Sequence, residues 1–178
     1  LTVTRSGTGT GTVTSAPAGV SCGATCTTSF DYGTSVTLSA VAAAGSTFTG
    51  WTGEGCTGTG TCVVAMSAVR SVTATFTLDT FLLTVSTTGG GTITSDSGGI
   101  TCPPTCSASF ATGTTVTLTA SPTSGASFSA WSGCTPVGGT PTQCTVTMTE
   151  AKSASATFTY PLTVTRSGTG TGTVTSAP

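Results

Sequence analysis

Histidine and asparagine are absent from this 178-residue sequence, charged side chains make up only 5% of it, and Lys152 is its single lysine. Without histidine no Ser-His-Asp or Cys-His catalytic set can form, and without asparagine no lysine–asparagine isopeptide bond can. No apolar run approaches the ~20 residues of a membrane-spanning helix. A net charge of −1 gives no electrostatic reason to bind nucleic acid or anionic lipid. These absences favour a protein that is not an enzyme, holds no cofactor or metal, and binds no nucleic acid.

The sequence is periodic on two scales. Residues 162–178 repeat residues 1–17 letter for letter, so the sequence holds one period of 161 residues and the opening of a second. Within the period, motifs of the first half recur in the second, as Phe48-Thr-Gly-Trp51 does in Phe128-Ser-Ala-Trp131. This pattern predicts module A at 1–82, module B at 83–161, and the first hairpin of a further module at 162–178.

Apolar and polar residues alternate along the chain with a period of two. Such segments lie at 36–40 and 72–76, and again at 116–120 and 154–158. Alternation predicts half-buried strands with one apolar face and one threonine-rich face. We therefore expect an all-β protein of small, sandwich-like modules with about six short strands each. The Gly-rich runs at 7–11 and 89–91 are interpreted as hairpin turns.

The two aromatic residues Phe48 and Trp51 do not fit a plain strand. They are three positions apart, which would place their side chains on opposite faces. Either Gly50 marks a β-bulge or Trp51 faces outward.

Each predicted module contains four cysteines, at Cys22, Cys26, Cys56 and Cys62 in module A and at Cys102, Cys106, Cys134 and Cys144 in module B. Pairing in sequence order is favoured, because the loop between the last two cysteines is longer in module B while both cysteines remain. A disulfide closing a hairpin tolerates a longer loop, whereas tetrahedral metal ligation requires short spacings. Crossed pairing, such as Cys22 with Cys56, and a four-thiolate zinc site are the alternatives. Disulfides would supplement a thin core and indicate an oxidising compartment, which is extracellular, at the cell surface or periplasmic.

The connections between modules are short. Module A is predicted to end near Thr77, which leaves a largely apolar linker at 78–82. Module B is joined to residue 162 by Tyr160 and Pro161 alone, and proline restricts its own backbone and that of the residue before it. Phe81, Tyr160 and Pro161 are therefore predicted to pack between modules and to give a stiff rod.

Five motifs recur in order in both modules. In module A they are Leu1–Val3 with its Gly-rich turn, Gly33–Ala40, Phe48–Gly53, Val64–Met66 and Ser71–Phe76. This order resembles the divergent InlB B-repeat type of bacterial surface repeat, which is related to the Listeria–Bacteroides repeats. The resemblance implies secreted or surface-anchored proteins whose repeats form stalks, with no catalytic residues to carry over. Module B departs from the pattern at Ala130, where glycine is usual, and in the long Cys134–Cys144 loop.

Two functions remain open at this point. One is a structural role in an extracellular fibre or stalk, with further copies of the same repeat as partners. The other is a multivalent adhesin array that binds glycans or another cell. Exposed Trp51 and Trp131 rings on one shared face would favour binding, and buried rings would favour the structural role.

Overall fold

The computed structural model describes residues 1–23 and 26–176, whose regular structure consists of β-strands. Among these residues, no helix has the length and apolar character needed to cross a membrane. The strands of module A are β1 (Thr2–Ser6), β2 (Gly11–Ala16), β3 (Ser21–Cys22), β4 (Ser35–Ala42), β5 (Ser46–Thr52), β6 (Cys62–Ala65) and β7 (Ser71–Leu78). Those of module B are β8 (Thr80–Thr88), β9 (Gly91–Ser95), β10 (Thr101–Cys102), β11 (Ser107–Ala111), β12 (Thr115–Pro122), β13 (Ser127–Ser132), β14 (Thr135–Val137), β15 (Thr140–Thr147) and β16 (Lys152–Thr159).

Module A is a small two-sheet sandwich. One sheet has the order β1-β7-β5, in which β1 runs parallel to β7, and the other has the antiparallel order β3-β2-β4-β6. The apolar residues of each alternating strand point between the sheets, where Val36, Leu38, Val72 and Phe76 are fully buried. The predicted all-β, sandwich-like fold is confirmed.

Module B repeats this arrangement and adds one edge strand to each sheet. Its sheets have the orders β11-β8-β16-β13 and β10-β9-β12-β15-β14. The anchors take equivalent places: Trp51 lies opposite Ala74, and Trp131 lies opposite Ala156. The two modules therefore share one fold, as the internal repeat predicts, but the structure has seven and nine strands where about six were expected in each. The difference comes from two-residue strands and from β11 and β14, which carry little alternation of their own.

Gly50 marks a β-bulge. The register of β5 against β7 shifts between Phe48 and Gly50, and Gly50 has a φ of 144°. The extra residue turns both aromatic side chains inward, so the Phe48 and Trp51 rings meet at a centroid distance of 5.1 Å. The bulge alternative is thus the correct one, and Trp51 does not face outward.

The Gly-rich runs are not hairpin turns, contrary to the sequence-based expectation. β1 pairs with β7, whereas β2 pairs with β3 and β4, so the 7–10 connection crosses from one sheet to the other. The same holds for β8 and β9 in module B. A copy of these residues consequently cannot form a hairpin by itself. The segment 162–176, which copies 1–15, carries no strand, because its counterparts pair with strands that follow later in their module.

The outer faces of the sheets are coated with hydroxyl groups. Thr4 lies beside Thr73 on neighbouring strands, and the Ser6 and Thr75 hydroxyl oxygens are 2.9 Å apart. No polar or charged side chain is buried in the part of the chain that the structure describes. Polar and apolar side chains thus lie on opposite faces of the strands, as the period-two alternation predicts.

Candidate inter-module joint

The eight cysteines form four disulfides in sequence order, Cys22–Cys26, Cys56–Cys62, Cys102–Cys106 and Cys134–Cys144. The structure therefore confirms sequential pairing and excludes the crossed and zinc alternatives. The first bridge of module A links the two sheets, since Cys22 lies in β3 while the Cys26 carbonyl accepts a hydrogen bond from the Val3 N–H at 2.7 Å. In module B the Val85 N–H donates to the Cys106 carbonyl at 2.8 Å in the same way.

The second bridge of each module was expected to close the base of a hairpin. This is confirmed in module B, where Cys134 directly precedes β14 and Cys144 lies in its antiparallel partner β15, but it is wrong for module A. In module A it closes the 56–62 loop between β5 and β6, which belong to different sheets. In module B the longer loop supplies β14, which pairs with β15. The added residues thus have a structural use that the spacing alone did not reveal.

The tryptophans belong to the cores and do not form a shared exposed face. Trp51 is 2% exposed and donates its Nε1–H to the Gly60 carbonyl at 2.6 Å. Trp131 is partly buried against the module B core, and its buried Nε1 has no hydrogen-bond partner in the part of the chain that the structure describes. The difference follows from the loops, because the module A loop folds back so that the Gly58 carbonyl accepts from the Trp51 N–H, whereas the module B loop pairs as β14 and β15.

These environments predict different losses of stability for the same substitution. Trp51→Phe removes a hydrogen bond and should lower the free energy of unfolding by about 1 kcal/mol beyond the loss of ring area. Trp131→Phe removes an unpaired buried donor, a relief of about 1–3 kcal/mol that offsets the smaller ring. Urea unfolding of both variants should therefore show Trp131→Phe to be the milder change. Equal losses would contradict the assignment of the unpaired donor.

A single residue, Asp79, separates β7 from β8. Its N–H donates to the Gly45 carbonyl of module A at 3.0 Å, and its carbonyl accepts from the Thr112 N–H of module B at 2.8 Å. Its Oδ1 accepts a hydrogen bond from the Thr47 hydroxyl at 2.6 Å. The predicted apolar linker at 78–82 is therefore wrong: Leu78 belongs to β7, residues 80–82 belong to β8, and the chain passes between modules as one nearly continuous strand.

The modules also touch directly beside Asp79. Gly45 has a left-handed φ of 72°, and a Cβ built there would lie 2.3 Å from Thr112 Cγ2. The Thr112 methyl group thus occupies the space that a side chain at position 45 would need. Neither residue stands out in the sequence, because a glycine in a turn and a threonine in a loop are common for other reasons.

The three residues predicted to pack between modules have different places. Phe81 lies in β8 opposite Phe110 and packs on the core of module B, so its main contacts lie within that module. Tyr160 follows β16 with 62% of its surface exposed, and its hydroxyl lies over Gly90. Pro161 is exposed. The packing of Tyr160 and Pro161 between modules stays a prediction.

A matched pair of glycines can test the joint. Gly125 is the module B counterpart of Gly45, with a φ of 82°, but a Cβ there meets nothing within 4 Å among the described residues. Gly45→Ala and Gly125→Ala should carry the same left-handed strain of about 1–2 kcal/mol, and only Gly45→Ala should displace Thr112. We expect the Asp79 and Thr112 amide hydrogens to exchange about tenfold faster in Gly45→Ala alone, as hydrogen-exchange NMR would measure. Equal exchange in both variants would show that the Gly45–Thr112 contact does not hold the joint.

The acidic side chains lie apart. Glu54 forms an ion pair with Arg70 at 2.6 Å, and the Asp96 Oδ1 accepts a hydrogen bond from the Thr117 N–H at 3.1 Å. Slight desolvation tends to raise the pKa of Asp96, but hydrogen bonds from Thr117 and Ser97 outweigh it and lower the pKa. No group of three or more potential metal ligands occurs in the described residues. The carboxylates of Glu54 and Asp96 thus each interact with groups of the chain itself.

Two tandem all-β modules with the same fold, joined through one nearly continuous strand, define a repeat protein. The family model for the divergent InlB B-repeat domain matches the chain twice, at residues 1–80 and 81–162. The chain belongs to this family. No curated protein and no solved structure matches it. Membership of a surface-repeat family, together with four disulfides, indicates an extracellular or cell-surface location.

Proposed function

We propose that this protein is a structural component of an extracellular fibre or stalk, built from alternating modules A and B and without catalytic activity. The observation that carries the proposal is the joint. β7, Asp79 and β8 form one nearly continuous strand with hydrogen bonds to both modules, which suits a spacer that must keep its length.

Three further observations support this role. The Trp51 ring is buried and the Trp131 ring is partly buried, so neither offers a flat, open platform for a sugar. The outer faces carry hydroxyl groups and few charges, which keeps the surface polar without strong attraction for charged ligands. The sequence begins a second period after residue 161, and repetition extends a rod without requiring a new fold.

Electron microscopy of the native material is the direct test. An 80-residue module has a radius of gyration near ~12 Å, which corresponds to a body roughly 30 Å across, so two collinear modules should give an axial repeat on the order of 60 Å. Denaturing, reducing electrophoresis then separates one long covalent array from polymerised subunits of about 17 kDa. A discrete soluble monomer without filaments would refute the fibre in either form.

A further inference from the structure

An open groove lies at the N-terminal end of module A, beside Leu1. It has a volume of about 270 Å³ and is lined by the apolar or aromatic residues Leu1, Phe30, Tyr32, Met66, Ala68 and Val69 together with the polar Ser29 and Ser67. Tyr32 is 87% exposed and Val69 is 94% exposed. We call this the entry groove.

The equivalent place in module B is covered by the chain itself. β8 begins three residues before Leu83, the counterpart of Leu1, and these residues pair with β11. Phe81 thereby lies opposite Phe110, which is 6% exposed, while its counterpart Phe30 is only partly buried. Module B thus shows what fills an entry groove: an aromatic residue two positions before the first core leucine.

The repeat supplies an aromatic residue at that same position. Leu162 copies Leu1, and the two residues before it are Pro161 and Tyr160. Counted back from the leucine, Tyr160 is equivalent to Phe81 and Pro161 to Leu82. We propose that the entry groove of module A binds the Tyr160-Pro161 segment of a preceding copy of this repeat, with the tyrosine ring packed on Phe30. This inference rests on the proposed function, since it names the partner through which the repeats join.

The backbone hydrogen bonds between Leu1 and Thr28 set a pattern into which this segment fits, including its proline. The Leu1 nitrogen donates to the Thr28 carbonyl at 2.9 Å, and the Thr28 N–H donates to the Leu1 carbonyl at 3.0 Å. In an antiparallel pair such bonded positions alternate with non-bonded ones. Extension by two residues therefore places Pro161 opposite Ser29, where no N–H is required, and Tyr160 opposite Phe30, where both backbone groups can bond.

In module B, hydrogen-bonded positions along the corresponding strand pair also recur every two residues. Its paired positions lie two residues apart along β8: Leu83 is opposite Ala108, and Phe81 is opposite Phe110. A further step of two reaches Asp79, whose carbonyl accepts a hydrogen bond from the Thr112 N–H at 2.8 Å. A proline at position 160 would remove a bond, and a proline at 161 does not. The placement of the proline thus agrees with strand addition.

The two kinds of joint then differ in direction. Phe76 and Leu83, which face the cores of modules A and B, are seven residues apart, whereas Phe158 and Leu162 are four apart. Because successive side chains of a strand point to opposite faces, a step of seven residues turns the next core to the other face of the shared strand, and a step of four keeps it on the same face. We therefore expect joints that alternate along the fibre, with one structural period for every two modules.

Photo-cross-linking can test the contact in a chain extended by one further copy of the repeat. Benzoylphenylalanine in place of Phe30 of the second copy should cross-link to the peptide that contains Tyr160 of the first copy. The same probe at Phe110 is the positive control, because the structure places residues 80–82 beside it. A probe at the exposed Val63, on an outer sheet face, is the negative control. The 178-residue chain, whose Phe30 follows no earlier copy, should give no intramolecular product with Tyr160.

Substitution at Tyr160 provides a second readout. Tyr160→Ala in the first copy should abolish the Phe30 cross-link, and Tyr160→Phe should retain it, since the ring and not the hydroxyl fills the groove. If the Phe110 probe reacts as expected while the Phe30 probe reacts elsewhere or not at all, the docking proposal is wrong. Filaments seen by microscopy alongside that result would leave the proposed function intact, and their absence would refute the function separately.

Discussion

Reduction of the four disulfides is expected to lower the thermal unfolding midpoint of each module by about 15–30 °C. Each bridge closes a loop with a sequence separation of only 4 to 10 residues. Even such short loops restrict the unfolded chain by about 2 kcal/mol each, or about 4 kcal/mol for the two bridges of a module. For a domain of this size, 1 kcal/mol corresponds to about 4–8 °C. Calorimetry with and without reductant measures the difference.

The matched control is the oxidised protein treated with iodoacetamide alone, which should leave the unfolding curve unchanged. Paired variants separate the bridges: Cys22→Ala with Cys26→Ala, and Cys56→Ala with Cys62→Ala. Cys22 and Cys62 are buried, so both pairs should also lose packing. A reduced protein that unfolds at the same temperature as the oxidised one would show that the hydrophobic cores alone suffice.

Much of the fold could be predicted because it depends on local patterns. Alternation at 72–76 marks β7, and the repeated Phe-x-x-Trp motif limits the choice to a bulge at Gly50 or an outward-facing Trp51, between which the structure decides. The disulfide pairing could be predicted because the longer loop in module B leaves both of its cysteines in place. In each case the evidence lies within a few residues of the feature.

Strand partners could not be predicted in the same way. A period of two identifies which face of a strand is buried, but not the sheet to which the strand belongs. The Gly-rich run at 7–10 therefore suggested a hairpin, although β1 and β2 lie in different sheets. β14 was missed for a related reason, since its three residues are stabilised by pairing with β15 and not by a core-facing pattern.

The joint was missed because it depends on contacts between distant residues. Asp79 in the sequence is one acidic residue among apolar neighbours, which gives no sign that its backbone bonds to Gly45 and Thr112. The apolar residues around it suggested a packed linker, yet Leu78 and Leu82 are exposed. Strand continuity, and not apolar packing of the linker, is what connects the modules.

Gly11 leaves room for the buried ring of Phe76, and substitution of either residue is expected to lower the free energy of unfolding. Phe76 is fully buried, and a Cβ on Gly11 would lie 2.2 Å from its ring. Gly11 does not have a left-handed φ, so the backbone itself would accept alanine, and the three atoms nearest to the added Cβ all belong to the Phe76 ring. Phe76→Ala should lower the free energy of unfolding of module A by about 3–5 kcal/mol through lost burial and a cavity. Gly11→Ala should cost about 1–3 kcal/mol through overpacking.

The double variant Gly11→Ala with Phe76→Ala measures whether the two residues are coupled through direct contact. Once Phe76 is alanine, the Gly11 methyl group points into the space that the ring has left, so Gly11→Ala should cost almost nothing there. The coupling energy should then exceed about 1 kcal/mol, whereas distant sites add within about 0.5 kcal/mol. Urea unfolding followed by Trp51 fluorescence, in a Trp131→Phe background, reports on module A alone. The Gly91–Phe158 pair of module B, where a Cβ would lie 2.3 Å from the ring, should behave in the same way. Additive losses in both modules would mean that the rings move aside and that these glycines are needed only for the sheet-to-sheet crossing.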